Sequence, residues 1–483
     1  MDREKPNIVL ILADDMGYGD LSCLNPGANF QTPNMDRVAA EGMTFTDCHS
    51  NSAVCTPTRY GILTGRYCWR TRLRQGVLWG YDPPLIDEQR LTLPKFLRRE
   101  GYRTACVGKW HLGMEWSTNG GQEPERNGWN VDYAAGVAGG PTTRGFDYYF
   151  GISASNNMPP YCFIENDEVV GSPTQRKDPI HDAQHDCPMV PGWRDENVGP
   201  TLTRKAQEWL TEHHRNHSDD PFFLYLPSEA PHRPCVPPEQ FRGESGAGRR
   251  GDMVLEFDWT VGQIRKTLEE MGELEHTIFI VTSDNGPRPG DPLAVVQDEI
   301  GPDPQVVSDF VTYGHNSTHI YRGQKADIWD GGHRIPFLIS WPEHIPGNSQ
   351  HDGITCLTDI YATVAELLDT SLPASAAEDS FSFLPVLRDA MSDANRSHLI
   401  HHSLSGMFSV RSERWKMIAE RGSGGFTRPR STEPSPDEPA GQLYDMQTDP
   451  SETENLYDER PDIVKILAGI LNDSRRNERT APG

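Results

Sequence analysis

The chain has 483 residues and a formal charge of −25. It carries no basic stripe and no apolar run of about 18 residues, which excludes a nucleic-acid binder and leaves no membrane-spanning segment. Its length exceeds one core of ordinary size, so two domains, or one enlarged α/β domain, are expected.

Residues 8–13 are unbroken apolar sequence, so 7–13 reads as a strand buried on both faces, and it runs into Asp14 and Asp15. The charged start before them is too short for a signal peptide. Residues 33–40 open with proline and stop before Gly42, a short helix. Phe45 leads into a short strand. Residues 55–66 and 92–100 read as helices, and 102–107 as a strand followed by Gly108-Lys109-Trp110-His111. Residues 114–195 are dominated by glycine, proline and polar side chains, a loop-rich insertion suited to a pocket rim.

A helix over 201–213 then precedes a strand over 222–226, which ends before Ser228-Glu229-Ala230-Pro231-His232. A helix over 251–271 precedes a strand over 276–281, which ends before Ser283-Asp284-Asn285-Gly286. A strand over 336–340 and a helix over 357–368 follow. This alternation predicts an α/β fold, a large mostly parallel sheet flanked by helices, with polar residues gathered past the strand C-termini where such sheets bind ligands. Past residue 380 come short strands over 398–402, 407–411 and 415–419, a loop over 422–438 and a helix over 463–473. The expected division is a catalytic domain over 1–380 and a smaller C-terminal α+β domain with an antiparallel sheet over 381–483.

Two adjacent carboxylates are costly to bury without a cation, and Asp14-Asp15 is matched by Asp284-Asn285 at another strand end. These four residues offer hard oxygens suited to Ca²⁺ or Mg²⁺, although a helix cap or exposed turn fits Asp14-Asp15 equally well. Cys55, one of nine cysteines without zinc spacing, is on its own either a buried thiol or a thiolate at a helix start. Lys109 and His111 share a face only in extended backbone. His232, between Pro231 and Pro234, sits on a rigid turn. Arg59 and Lys325, taken singly, are ordinary solvated or salt-bridged cations. His181, His185, His315 and His319 are further candidates for polar substrate contacts.

Cys55-Thr56-Pro57-Thr58-Arg59, continuing Tyr60-Gly61-Ile62-Leu63-Thr64-Gly65-Arg66, resembles the element of type I sulfatases in which C-x-P-x-R is oxidised to formylglycine. Residues 7–19 resemble that family's opening strand with paired aspartates. Gly108-Lys109-Trp110-His111-Leu112-Gly113, Ala230-Pro231-His232 and Thr282-Ser283-Asp284-Asn285-Gly286 resemble its later elements in order and spacing. Arg322-Gly323-Gln324-Lys325 with Asp330-Gly331-Gly332-His333-Arg334-Ile335-Pro336 resembles its R-G-x-K…E-G-G-x-R-x-P block, with aspartate where the family often has glutamate. The resemblance spans nearly the whole chain and lies within the alkaline-phosphatase-like superfamily.

The resemblance implies an arylsulfatase-like sulfuric ester hydrolase acting on a sulfated carbohydrate. Asp14, Asp15, Asp284, Asn285 and matured Cys55 would hold Ca²⁺ in preference to Mg²⁺. Lys109, His232 and Lys325 would surround the sulfate, with His315 as a further substrate contact, and supply the positive field that the overall charge opposes. The aldehyde of formylglycine would hydrate to a geminal diol held by Arg59. One hydroxyl would attack sulfur while His232 and Lys325 assist the departing alcohol; His111 would then help the second hydroxyl expel sulfate. The implied partners are a sulfate ester and a formylglycine-generating maturation enzyme. The implied location is periplasmic or secreted, the signal peptide having been removed, and the cysteine count also permits the cytoplasm. A phosphomonoester, phosphodiester or phosphonate hydrolase of the same superfamily, or a non-catalytic sulfated-glycan-binding relative, are the competing readings.

Overall fold

The computed structural model describes residues 5–179, 186–290, 312–342, 344–392 and 396–481, so His181 and His185 lie outside the described residues. The main sheet has ten strands. Their spatial order is Ser349–His351, Met43–Phe45, Phe337–Ser340, Thr277–Ser283, Asn7–Ala13, Phe222–Pro227, Arg103–Lys109, Tyr148–Ile152, Ile164–Glu165 and Glu168–Val169. The five strands from Thr277–Ser283 to Tyr148–Ile152 are parallel, with Asn7–Ala13 second among them and near the centre of the whole sheet. Phe337–Ser340 pairs antiparallel on one side and Ile164–Glu165 on the other.

Successive side chains of a strand point to opposite faces, and the central strand is sorted accordingly. Ile8, Leu10 and Leu12 join one core with Phe223, Tyr225, Ile278 and Ile280, covered by the Cys55–Thr64 and Asp359–Leu367 helices. Val9, Ile11 and Ala13 join the other with Leu224, Leu226, Phe279 and Val281, covered by the Val198–Asn216 and Gly248–Met271 helices. The result is a three-layer α/β arrangement, as the alternation predicts.

Several elements run beyond the predicted bounds. The strand predicted over 102–107 extends to Lys109, which places that lysine at the strand's end. The helix predicted over 201–213 is Val198–Asn216. The helix predicted over 55–66 stops at Thr64, because Gly65 takes φ 61° and ends it. Tyr148–Ile152, inside the region read as loop-rich, is one of the central parallel strands.

A second sheet follows the chain order His398–His402, Phe408–Ser412, Trp415–Ile418, Gln442–Asp445 and is antiparallel throughout. Leu467 and Leu471 of the Pro461–Arg476 helix pack on its Ile400, Val410, Met417 and Leu443, together with Tyr67 and Trp69. Buried polar groups join this sheet to the turn that precedes Cys55. His49 Nε2 is 2.6 Å from Asp47 Oδ1, His49 Nδ1 is 3.2 Å from His401 Nε2, and the His333 and His401 rings stack at 4.1 Å. Ser52 Oγ and Ala53 N–H both donate to the His402 carbonyl, at 3.1 and 3.2 Å.

His402 itself is buried, with neither ring nitrogen hydrogen-bonded among the described residues. Burial holds its pKa down, from 6.5 to about 4. Between those values the unfolded chain binds more protons than the folded one, so stability is full above pH 6.5 and falls as pH drops toward 4. This one group accounts for at most about 3 kcal/mol of that loss. His402→Leu is expected to flatten the fall in Tm between pH 6.5 and 4.5, measured by calorimetry; an unchanged slope would exclude the residue as its source.

Candidate active site

Three neighbouring strands of the main sheet deliver polar residues to one edge. The central strand delivers Asp14 and Asp15, the Thr277–Ser283 strand delivers Asp284 and Asn285, and the Phe222–Pro227 strand leads to His232. Backbone bonds lock these ends together: Ser228 N–H donates to Leu12 O, Asp14 N–H to Ala230 O and Asp284 N–H to Ala13 O, at 2.9 to 3.1 Å. Asp15 has φ 72° and His111 φ 56°. Non-glycine residues rarely adopt that region, and such strain concentrates where side chains are aimed for function.

Cys55 is the first residue of its helix and is buried. Its Sγ lies 3.4 Å from Asp14 Oδ1 and 3.4 Å from Lys325 Nζ. Lys325 Nζ also contacts the two Asp15 carboxylate oxygens at 2.6 and 2.7 Å. Lys109 Nζ donates to Asp14 Oδ2 at 2.6 Å. Arg59, one helical turn after Cys55, donates to Asp284 Oδ2 through Nε at 3.0 Å and Nη2 at 2.7 Å, and to the Lys109 carbonyl through Nη1 at 3.0 Å. Donor atoms of Asp14, Asp15, Cys55 and His232 all lie within 4.8 Å of one another. Of the eleven residues to which the resemblance gives roles, ten are thus brought to one edge. The eleventh, His315, bonds Asp20 Oδ1 at 2.9 Å and stacks by Phe30. Asp20 also pairs with Arg250, which donates to the Asp15 carbonyl at 3.0 Å, so His315 stands behind Asp15.

The electrostatics follow from burial among these charges. Burial and the nearby Asp284 push the Cys55 thiol above its ordinary range, so the unmodified side chain is a thiol rather than a thiolate. Burial alone would raise Asp15, but Lys325 and His232 hold it below the usual carboxylate range. Asp284, with burial and Asp14 acting in the same direction, is pushed up to about 6. Burial lowers His111, helped by Lys109 and Arg59, and lowers His232, helped by Lys325.

Carbonyl partners fix both tautomers, because a carbonyl cannot donate. His111 Nε2 lies 2.7 Å from Leu78 O and carries the proton, leaving Nδ1 basic and without a partner among the described residues. His232 Nδ1 lies 2.6 Å from Arg233 O, leaving Nε2 facing Asp15 Oδ2 at 3.7 Å. Asn285 Nδ2 donates to Asp15 Oδ1 at 2.8 Å, while Asn285 Oδ1 is buried and unpartnered among the described residues. An orphaned amide oxygen beside three carboxylates is a donor set that fits a hard divalent cation.

Some contributors carry no sequence signal of their own. Ser155 Oγ and Asn157 Oδ1 are buried without partners among the described residues, on the turn after Tyr148–Ile152. That turn is tied to His111, whose N–H donates to Ser153 O at 2.9 Å. The Asp330 position, where the family often has glutamate, works at a distance from the cluster. Its Oδ1 accepts from Lys416 Nζ at 2.7 Å and its N–H donates to Glu452 Oε2 at 2.7 Å, fastening the second sheet to the Gly331-Gly332 turn. A Cβ on Gly286 would lie 1.9 Å from the Gly331 carbonyl, so that turn packs backbone to backbone on the Asp284-Asn285 segment.

Comparison with known proteins gives matching results. The Sulfatase family matches residues 6–370, and the family described as N-sulphoglucosamine sulphohydrolase, C-terminal, matches residues 323–477. An N-acetylgalactosamine-6-O-sulfatase of Bacteroides thetaiotaomicron is 33% identical, over 97% of this chain and 93% of that protein. Human arylsulfatase A is 29% identical, over 93% of this chain and 83% of that protein. A chain solved in work on glycosaminoglycan metabolism by Bacteroides thetaiotaomicron superposes with a TM-score of 0.81 at 30% identity, covering 98% of this chain and 100% of that one.

Proposed function

The chain belongs to the sulfatase family and is a sulfuric ester hydrolase, and on that premise we propose that Cys55 matured to formylglycine is its nucleophile, Ca²⁺ its metal and a sulfated sugar its substrate. The observation that carries this reading is the crowding of Cys55 Sγ by Asp14 and Lys325, each at 3.4 Å, within a set of three carboxylates and three cations. Asp14, Asp15 and Asp284 formally balance Lys109, Lys325 and Arg59. Adding a divalent cation leaves a net positive site, the condition for holding an anionic ester inside an acidic protein.

Asp14, Asp15, Asp284 and Asn285 would hold the ion, the unpartnered Asn285 Oδ1 being a ready oxygen for it. Bound there, Ca²⁺ would fix sulfate oxygens and offset charge during transfer. Matured and hydrated, residue 55 supplies two hydroxyls, one to attack sulfur and one to expel sulfate afterwards. Lys109 and Lys325, both buried, bind and orient the sulfate oxygens. His232, with its side chain 10% exposed, is the most accessible of the group; its Nε2, left unprotonated because Nδ1 donates to the Arg233 carbonyl, takes the proton of the attacking hydroxyl and passes it to the departing alcohol oxygen. His111, with Nδ1 basic and partnerless among the described residues, takes the proton of the second hydroxyl. Arg59 anchors Asp284 and the Lys109 carbonyl and so keeps the nucleophile's helix against the ligand cluster.

A formylglycine-generating enzyme is the implied maturation partner. Among the described residues no helix is long and apolar enough to cross a membrane, and a periplasmic or secreted location is the one we favour. The division into a catalytic part over 1–380 and a C-terminal part over 381–483 is supported by the separate second sheet. For the substrate, the name and identity of the N-acetylgalactosamine-6-O-sulfatase support a 6-O-sulfated hexosamine of glycosaminoglycan type. The test is kcat/KM on saccharides sulfated at single defined positions, with phosphate esters of the same alcohols alongside. The 6-O-sulfate is expected to lead, with sulfate preferred to phosphate by at least about 10²-fold. Release from aryl sulfates alone would exclude the sugar, and a phosphate preference would exclude the sulfate-handling roles given to Lys109 and Lys325.

A further inference from the structure

Two carboxyl groups that the chemistry above does not use are buried together behind His232. Glu229 lies on the turn between the Phe222–Pro227 strand and His232, and Glu256 lies within the Gly248–Met271 helix. Each is 2% exposed. They converge on Gly199, near the start of the Val198–Asn216 helix: a Cβ there would lie 2.2 Å from Glu256 Oε1 and 2.7 Å from Glu229 Oε1. Only glycine leaves room for both groups at that point. Among the described residues Glu256 Oε2 is buried without a partner, and no cation pairs with either carboxyl. Asp14, on the central strand, adds negative charge beside Glu229. Asp252 and Asp258, the other carboxylates of that stretch of helix, turn away to accept from Ser245 Oγ and Asn34 Nδ2. One turn further along, the two helices meet through Thr203 Oγ1 and Thr260 Oγ1 at 2.9 Å.

Burying one carboxylate without a cation is costly, and burying two side by side costs more still. Such a pair holds one proton between its members, a carboxylic acid donating to a carboxylate. Burial pushes Glu229 up to about 7, and burial with Glu229 alongside pushes Glu256 well above the usual carboxylate range. A hydrogen bond to an ionised acceptor is roughly twice as strong as a neutral one.

The pair sits at the base of the turn that carries His232. Ser228 Oγ donates to Glu229 Oε2 at 3.4 Å and accepts the Ala230 N–H at 3.1 Å. The Glu229 carbonyl accepts the His232 N–H at 3.0 Å, and the Ala230 carbonyl accepts the Asp14 N–H at 2.9 Å. A shift of Glu229 therefore moves His232 relative to the central strand.

We propose that Glu229 and Glu256 are positioning residues, whose shared proton clamps the 228–232 turn to the Gly248–Met271 helix and holds His232 Nε2 in place. This rests on the proton-transfer role given to His232 above. Loss of the proton at alkaline pH leaves two carboxylates that repel, so the clamp opens and activity falls. The unfolded chain ionises both groups in the ordinary carboxylate range, whereas the folded pair keeps a proton up to about pH 7. The pair's contribution to stability therefore falls as pH rises through that window.

The test uses the matured, Ca²⁺-loaded enzyme and compares wild type with Glu256→Gln and Glu256→Leu. Glutamine donates permanently through its amide, whereas leucine fills the space and donates nothing. Infrared difference spectra between about pH 6 and about pH 9 read the protonated carboxyl directly. Wild type is expected to lose a buried C=O stretch over that range, and Glu256→Gln to lack the change. The ratio of kcat/KM at the higher pH to that at the lower should be about 10-fold greater in Glu256→Gln than in wild type, one pH unit of the alkaline limb. Glu256→Leu should lower kcat at about pH 6 by about 10-fold and leave KM within about 2-fold, because Lys109 and Lys325 still hold the sulfate. The same infrared change in wild type and Glu256→Gln would overturn the shared proton. An unchanged pH ratio, or equal kcat in the two variants, would overturn the positioning role. The infrared reading needs no substrate, so an enzyme inactive on every sulfate ester would contradict the proposed function while the shared proton was still judged on its own.

Discussion

Cys55→Ser is expected to lower kcat on every sulfate ester by at least about 10³-fold, while moving Tm by no more than about 2 °C. The two halves of that result have separate causes. Serine is nearly isosteric with the unmodified cysteine, and its hydroxyl can meet Asp14 Oδ1 and Lys325 Nζ where Sγ does, at 3.4 Å from each. The helix that starts at this residue keeps all its other contacts. Catalysis fails because one hydroxyl cannot do the work of two: a serine that accepted sulfate would have no second hydroxyl to expel it. A thiolate mechanism makes a different prediction, since a thiolate is quenched by alkylation and needs a lowered pKa. Burial and Asp284 instead hold the Cys55 thiol above its ordinary range. Activity and Tm measured on the same preparation check both halves.

The second large effect is that of removing the metal. Exhaustive chelation is expected to abolish turnover by about 10³-fold or more, and Ca²⁺ added back should restore it more fully than Mg²⁺. The same addition should raise Tm, because an ion that binds only the folded chain stabilises it by about 2.7 kcal/mol at 100 times its Kd. The ligand cluster explains the link. Without a cation, burial and Asp14 push Asp284 up to about 6, which marks a carboxylate poorly compensated in its surroundings. Asp15→Ala should destabilise further, by about 3–5 kcal/mol, because it strands the buried Lys325 ammonium without its partner. Full activity after chelation, with no response of Tm to Ca²⁺, would contradict the assignment of these four residues.

Much of the site was legible in the sequence because its residues stand directly after strand ends. Apolar runs that stop at Asp14-Asp15, Ser283-Asp284 and Ser228-Glu229 announce both the strand and the edge it feeds. The pairing of Asp14-Asp15 with Asp284-Asn285 needed only that the two strands be neighbours, and they are paired in parallel from Asn7 opposite Thr277 to Ala13 opposite Ser283. Tyr148–Ile152 was hidden because five residues inside a glycine- and proline-rich stretch give too short a periodicity. With it went the turn carrying Ser155 and Asn157. Gln442–Asp445 was hidden because only two of its four residues are apolar and it follows the loop-rich 422–438 stretch almost directly.

The central claim is that residue 55 acts as an aldehyde and not as a thiol. Mass spectrometry of the peptide spanning Cys55 and Arg59, taken from a preparation whose specific activity is measured in parallel, tests it most directly. The account predicts an aldehyde at residue 55, in a fraction that rises in proportion to specific activity across preparations matured to different extents. Fully active enzyme carrying only unmodified cysteine at residue 55 would contradict it.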